Sequence, residues 1–300
     1  MTGQWSAAGQ RSLGPVGDVG PIGFGCWRLV GSDADNLAAV ETALDCGFTL
    51  VDNADVYGLD WGGGGFGACE EALGRVLSLR PELRDKMQLA SKAGIVPGIP
   101  YDSSPEHLVS ACEASLRRMG VDHVDLFQIH RPDHFAHPLG IAEAFANLHR
   151  RGLARAFGVS NHTVHQTDAL LAVLEVPFVS VQPEFSAARL TAMRDGTLDQ
   201  CLRAGLVPLA WSPLAGGRLA TGDGVGPELV AVLDDLAARE GTTRTVIAVA
   251  FVLAHPSRPV ALVGTQDPAR LRELAAATSV TLDRSDLYRI VEASDGVPLP

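Results

Sequence analysis

The chain has 300 residues, 46% of them hydrophobic and 20% charged, with a net charge of −11. That is enough apolar material for one large domain or two ordinary ones. The negative balance argues against a general affinity for nucleic acid or an anionic membrane, though not against a local basic patch for a phosphorylated small molecule. The five cysteines (Cys26, Cys46, Cys69, Cys112, Cys201) are scattered, odd in number and form no C-x-x-C pair. They read as reduced thiols rather than a disulfide frame or a zinc site. The first residues, MTGQWSAAGQRSLG, lack the apolar core of a signal peptide, and the longest apolar run, 246-VIAVAFVLA-254, is too short to span a bilayer. A soluble, cytoplasmic protein is expected.

In chain order, the first twenty residues read as peripheral and the first β-type run is 22-IGFGC-26. An amphipathic segment over 34–46 follows, ending before Gly47, where a left-handed helix cap favours glycine. The second run, 48-FTLVD-52, leads through 53-NADVYG-58 and 61-WGGGGFG-67 to a helix over 67–79. The third, 87-MQLAS-91, precedes a helix over 105–119, for which Ser104-Pro105-Glu106 supply an N-cap, a proline at the first helical position and an acidic first turn, and Gly120 a C-cap. Next come 123-HVDLFQI-129 with a helix over 138–151, and 155-RAFGV-159 with one over 163–174. After these, 178-FVSVQ-182 precedes a helix over 195–204, and 206-LVPLA-210 precedes a helical stretch over 227–254. The last unit is 260-VALVG-264 with a helix over 267–277, opened by Asp267-Pro268; 295-DGVPLP-300 reads as peripheral. Eight strand–helix units predict an α/β fold, a (β/α)8 TIM barrel. It is read as a single domain over 1–300, with the barrel at about 20–280. A doubly wound sheet is the alternative, because alternation alone does not separate a closed sheet from an open one. A barrel places its chemistry just past the C-terminal ends of the strands.

Asp52, Tyr57, Lys92 and His130 all fall at that face. Each has a bland reading alone: a loop cap, an aromatic, a surface charge, a structural histidine. Lys92 stands out, because the chain has one other lysine, Lys86, and Lys92 follows an apolar strand. Together the four make chemical sense. A tyrosine, with an ordinary pKa of about 10, is a poor proton donor at neutral pH. A lysine cation close by lowers that pKa by favouring phenolate, and an aspartate keeps the lysine charged and oriented. A histidine can donate a hydrogen bond to a substrate carbonyl, or help the tyrosine proton move. The set amounts to a general acid for carbonyl reduction with an electrostatic site for alkoxide charge.

The motifs D-x-A-D-x-Y-G, S-K-x-G and D-L-x-x-I-H-x-P-D, in this order and spacing, resemble the aldo-keto reductase superfamily. The similarity continues through 158-GVSNH-162, 181-VQPEFS-186, 207-VPLAWSPLAGGRL-219 and 262-LVGTQDPARLREL-274. HRPD, DGTLDQ and AWSPLAGGRL resemble a bacterial oxidoreductase branch most. The resemblance implies NADPH-dependent reduction of an aldehyde or ketone by direct hydride transfer, with no metal. Tyr57 then matches the proton donor, Lys92 and Asp52 its tuning pair, and His130 the group that orients the carbonyl.

It also implies a cofactor lying extended across the barrel mouth. Ser160, Asn161 and Gln182 match the carboxamide partners, and neutral amide and hydroxyl groups suit that neutral group. Ser160-Asn161 also reads as a helix N-cap. Trp211 matches the aromatic that stacks on the nicotinamide. Cys26, Trp27 and Asp52 fall beside it at the ends of the first two strands. Ser212, Leu214, Gly216 and Arg218 match the loop around the pyrophosphate, and Gly264, Thr265, Gln266, Arg270 and Glu273 the segment around the adenosine 2′-phosphate. Gln266 and Asp267 depart from the basic pattern common there, and Leu274 replaces an asparagine. NADPH is the expected cofactor, with NADH as the alternative.

Glycines 62, 64 and 67 of 61-WGGGGFG-67 satisfy G-x-G-x-x-G. A dinucleotide fingerprint leaves a strand directly into a helix, whereas here nine residues, Tyr57 among them, lie between Asp52 and Gly62. The match is coincidental on this reading. A mobile loop carrying Trp61 and Phe66 over the substrate mouth, with Trp27, Tyr57 and His130 also lining it, is expected instead. Other specificity positions are expected in 95-IVPGIPYDS-103, in 131-RPDHFAH-137 and around Phe185. The histidines of 130-HRPDHFAH-137 and 162-HTVH-165 are set aside as a metal site, because His130 is already assigned and Pro132 interrupts a helix. Two other functions compete with this reading: a cofactor-sensing regulatory subunit with little turnover, and a barrel lyase using Lys92 as a Schiff-base amine. The intact tetrad argues against the first, and the neighbouring aspartate against the second. Substrate identity and the choice between monomer and homo-oligomer stay open.

Overall fold

The computed structural model describes residues 9–60 and 62–300; Trp61 lies outside the described residues. Eight parallel strands form a closed barrel: β3 (Ile22–Gly25), β4 (Leu50–Asp52), β5 (Gln88–Ala93), β6 (Val124–Ile129), β7 (Ala154–Ser160), β8 (Phe178–Gln182), β9 (Val207–Trp211) and β10 (Val260–Val263), with β10 pairing back onto β3. The closed sheet settles the choice between barrel and open sheet. Each expected strand is present, with ends shifted by a residue or two.

The outer layer holds α1 (Asp33–Asp45), α2 (Ala68–Leu79), α3 (Pro105–Met119), α4 (Pro138–Arg150), α5 (Val164–Leu171), α6 (Thr191–Arg194), α7 (Thr197–Ala204), α8 (Arg218–Thr221), α9 (Pro227–Glu240), α10 (Arg244–Leu253), α11 (Pro268–Ala275) and α12 (Arg284–Asp295). The caps behave as the sequence suggests. Ser104 accepts from the His107 N–H at 3.3 Å at the start of α3, and Gly120 ends it at φ 66°. Two helical expectations change. The stretch 227–254 is two helices, broken where Gly241 takes φ 64° and Thr243 caps α10. Helix α12 was not anticipated. Asp283 and Asp286 form its capping box, and Asp286 accepts two 2.7 Å bonds from Arg239 of α9. None of the helices among the described residues is long and apolar enough to cross a membrane.

The segment before residue 20 is also less peripheral than expected. Strands β1 (Arg11–Ser12) and β2 (Asp18–Val19) pair antiparallel as a small hairpin. Its Leu13, Val16 and Val19 are buried against interior residues of the barrel, among them Leu50, Leu126 and Leu209. Arg11 Nε donates to the carbonyls of Arg258 and Pro259, both at 3.2 Å, pinning the hairpin to the entry of β10. The hairpin gives the barrel interior an apolar floor, and the cavity opens at the C-terminal ends of the strands.

Truncating Leu13 in that floor should leave a cavity the hairpin cannot collapse into. Leu13→Ala is expected to lower the unfolding free energy by about 2–4 kcal/mol in urea denaturation. A loss below about 0.5 kcal/mol would mean that the hairpin is a loose appendage.

Candidate active site

The strand ends converge on one polar cluster. Lys92 of β5 is fully buried, and Asp52 ends β4 beside it. Lys92 Nζ donates to Asp52 Oδ2 at 2.5 Å and to the Asn53 carbonyl at 2.9 Å. The other Asp52 oxygen accepts from Gln182 Nε2 at 3.0 Å and from Gln128 Nε2 at 3.3 Å. Two charges removed from water need this many partners to remain charged. Burial pulls the Lys92 pKa down, but Asp52 and Tyr57 overcome it, so the net shift is upward and Lys92 is a cation.

Tyr57 is half-buried in the turn after β4, and its N–H donates to the Ala54 carbonyl at 3.2 Å. Lys92 Nζ lies 4.9 Å from the centre of the Tyr57 ring. The expected lowering of the Tyr57 pKa is outweighed. Burial raises it more than Lys92 lowers it, Asp52 adds to the rise, and the phenol is pushed up to about 12. Tyr57 is therefore held protonated. His130, just past β6, stands edge-on to Tyr57 with ring centres 5.5 Å apart. Burial, then Lys92 and Arg131, hold its pKa well below the ordinary range, so the imidazole is neutral. Its Nδ1 is buried with no hydrogen-bond partner.

Asp52, Tyr57, His130 and Gln182 line a cavity of about 830 Å³ that continues past Trp211 and the loop after β9 to Thr265, Arg270 and Glu273. The strand-end residues along it are cross-linked. Ser160 Oγ donates to the Gln182 carbonyl at 2.9 Å, Asn161 Nδ2 donates to Ser160 Oγ at 2.8 Å and to the His130 carbonyl at 3.2 Å, and Trp211 Nε1 donates to Asn161 Oδ1 at 3.0 Å. The N-cap reading of Ser160-Asn161 does not hold, because Thr163 and Gln166 form the capping box of α5. Along the far wall, Ser212 (φ 53°) and Ala215 (φ 51°) take left-handed backbone like the glycines beside them. A Cβ on Gly216, Gly217 or Gly264 would meet nothing within 4 Å, so this wall is an open cradle. A cradle of open backbone beside Arg28 and Arg270 fits an extended nicotinamide dinucleotide.

Most of the expected residues line this cavity: Asp52, Tyr57, His130, Trp27, Ser160, Asn161, Gln182, Trp211, Ser212, Leu214, Gly216, Gly264, Thr265, Arg270 and Glu273. Lys92 lies just beneath. Several others do not line it. Cys26 is fully buried, and burial first, then Cys69, pushes its thiol far up. Arg218 turns back on its own loop, donating to the Ala215 carbonyl at 3.0 Å. Gln266 Nε2 donates to the Gly25 carbonyl at 3.0 Å instead of facing the cavity. Phe66 is 40% exposed and packs over the Arg118 guanidinium at 5.7 Å, away from the mouth. Phe185 is a core ring against Phe251, and of 95–103 only Ile95 reaches the cavity. The glycine stretch differs as well. Gly65 N–H donates to the Gly58 carbonyl at 3.0 Å, and a Cβ on Gly63 would lie 2.3 Å from that same oxygen, so the glycines serve close approach. No three metal-ligating side chains come together among the described residues.

The sequence reading did not single out Arg28, Asp60 or Arg131 individually. Arg28 Nη2 donates to the Gly216 carbonyl at 3.4 Å, joining the loop after β3 to the loop after β9. Asp60 accepts from Trp27 Nε1 at 3.0 Å. Arg131 packs its guanidinium 5.8 Å from the Trp211 ring. These are loop residues brought together from distant parts of the chain, and no local spacing marks them.

Asp55, on the same turn as Tyr57, is buried with Oδ1 unpartnered. Burial, then Glu70, raises its carboxyl pKa well above the ordinary range. A carboxyl whose folded pKa is raised binds its proton more tightly in the folded state, so it favours folding below its unfolded pKa of about 3.9 and loses that contribution as pH rises toward the folded value. Asp55→Asn removes the loss. In thermal melts its stability relative to the parent is expected to be greater at pH 8 than at pH 5. A difference that stays flat or reverses would contradict the protonated assignment.

The model of the aldo/keto reductase family matches residues 21–295. A 6-dehydroglucose reductase of Novosphingobium aromaticivorans is 44% identical over 295 residues, covering 97% of both chains. The Escherichia coli oxidoreductase YdhF is 36% identical, covering 92% of this chain and 94% of its own. Among solved structures, an aldo-keto reductase from Klebsiella pneumoniae in complex with NADPH superposes with a TM-score of 0.82 at 26% identity, covering 98% of this chain and 96% of that one. This chain belongs to the aldo/keto reductase family and is an NAD(P)H-dependent oxidoreductase.

Proposed function

We propose that the protein reduces the aldehyde of a hydroxylated, sugar-like substrate to an alcohol with NADPH, using Tyr57 as general acid. The observation that carries this reading is the buried Asp52–Lys92 pair, with Lys92 Nζ 4.9 Å from the ring of a protonated Tyr57 that stands edge-on to a neutral His130. Bound NADPH supplies the hydride. Ser160, Asn161 and Gln182 would hold its carboxamide, Trp211 its nicotinamide face, and Arg28 with the Ser212–Gly217 loop its pyrophosphate. As negative charge grows on the carbonyl oxygen, Tyr57 gives up its proton, because an alkoxide is a much stronger base than a phenolate. Lys92 stabilises the phenolate left behind, and Asp52 keeps Lys92 in place. Neutral His130 carries one N–H, which orients the carbonyl oxygen.

Support for a hydroxylated substrate comes from two directions. Arg131 and Asp60 put a cation and an anion into the lining, which can meet substrate hydroxyls in addition to their contacts with Trp211 and Trp27. Relatives from Novosphingobium aromaticivorans and Agrobacterium fabrum are 6-dehydroglucose reductases, at 44% and 34% identity. For the cofactor, Gln266 is turned inward and Asp267 caps α11 with Oδ2 3.6 Å from Arg270 Nε. Thr265 and Arg270 remain to meet a 2′-phosphate, which supports NADPH over NADH. A Schiff-base role for Lys92 is disfavoured, since a buried lysine held as a cation by Asp52 is a poor amine nucleophile.

The test is oxidation of NADPH and of NADH over a panel of sugar-derived and simple aldehydes, with Tyr57→Phe alongside. Sugar-like aldehydes with NADPH should give the highest kcat/KM, and Tyr57→Phe should lose about 100-fold or more. Full activity in Tyr57→Phe would sink the mechanism. A clear preference for NADH would sink the cofactor assignment.

A further inference from the structure

Behind the Tyr57 turn, between the barrel wall and the helices, lies a buried ionic cluster for which the reaction above has no use. Glu70 of α2 is 0% exposed. Its Oε1 accepts from Ser91 Oγ at 2.5 Å, and its Oε2 accepts from Arg118 Nε of α3 at 2.7 Å. Ser91 immediately precedes Lys92, and successive strand residues face opposite sides. The same step of β5 therefore presents Lys92 to the interior and Ser91 to Glu70.

The residue before Glu70 binds the other half of the site. The Cys69 N–H donates to the Tyr57 carbonyl at 3.3 Å, and the Cys69 carbonyl accepts from Asn53 Nδ2 at 3.1 Å. The Asn53 carbonyl in turn accepts from Lys92 Nζ at 2.9 Å. One turn of α2 thus grips both the backbone of Tyr57 and the strand of Lys92.

The glycine stretch is fitted to this cluster. A Cβ on Gly67 would lie 2.5 Å from Arg118 Cδ, so Gly67 leaves room for the arginine to reach Glu70. Phe66 packs over the same guanidinium.

We propose that Glu70, held by Arg118, is a positioning residue that sets Tyr57 against Lys92, and that Phe66 and Gly67 serve it by covering and admitting Arg118. The inference rests on the Tyr57-based reduction proposed above. The experiment compares the wild type with Glu70→Gln and the milder Ser91→Ala. It measures single-turnover hydride transfer per folded molecule, NADPH affinity by fluorescence, thermal midpoint, and the isotope effect on kcat with NADPH deuterated at the transferred position. A misplaced Tyr57 should slow hydride transfer in Glu70→Gln by about tenfold or more. It should also raise the isotope effect, while NADPH affinity stays within about twofold. Ser91→Ala should show the same changes, smaller. A lower thermal midpoint with the wild-type rate and isotope effect would overturn the proposal, as would a loss of NADPH affinity in step with rate. If Glu70→Gln does not fold, an unchanged rate and isotope effect in Ser91→Ala overturns it. Equal activity of the wild type and Tyr57→Phe would instead fault the underlying reaction and leave the Glu70 comparison without a Tyr57 to position.

Discussion

A lysine cation sealed inside a barrel has no stable existence without its counterion, and the rest of the site is arranged around that constraint. Lys92 is balanced by Asp52, and Asp52 by the amides of Gln128 and Gln182. These four residues end or approach the ends of β4, β5, β6 and β8. Only a closed, correctly registered sheet brings them within hydrogen-bonding distance. The hairpin floor matters for the same reason, because water entering from below would weaken the pair's hold on its surroundings. Removing one partner of such a pair leaves a buried charge, at a cost of about 3–5 kcal/mol. The pair therefore ties fold stability to the geometry of the proposed site.

Burial has a second effect, on Tyr57. Considering charge alone, Lys92 should make the phenol more acidic. The same burial that strengthens the Lys92 field also disfavours phenolate, and burial wins, at about 12. The outcome suits a proton donor that must keep its proton until alkoxide charge appears. Neutral His130 follows the same logic. Burial and two nearby cations deny it a charge, and it is left as a hydrogen-bonding group.

The barrel was legible in the sequence because its strands are short apolar runs, a pattern set by local sterics and burial, and the meeting of Asp52, Tyr57, Lys92 and His130 was legible because each falls at or just past a strand's C-terminal end. Helix α12 was missed because a polar surface helix carries little apolar signal, and its hold on α9 is a long-range Arg239–Asp286 pair. The β1–β2 hairpin was missed because two-residue strands among glycines have no period to read. Phe66 was placed over the substrate because an aromatic next to glycines reads as a lid. Its actual partner, Arg118, lies on α3, and no spacing along the chain links them. Arg28 was missed and Arg218 misplaced for the same reason, since which arginine faces the cradle depends on how two distant loops meet.

Lys92 and Tyr57 act as one unit on this account, because the lysine's contribution is made through the tyrosine's oxygen. A double-mutant cycle on single-turnover hydride transfer tests that directly, using Lys92→Met, Tyr57→Phe and the double variant. The account predicts strong non-additivity, with the double variant little slower than the slower single variant. Losses that multiply would show that Lys92 and Tyr57 contribute independently, and would contradict it.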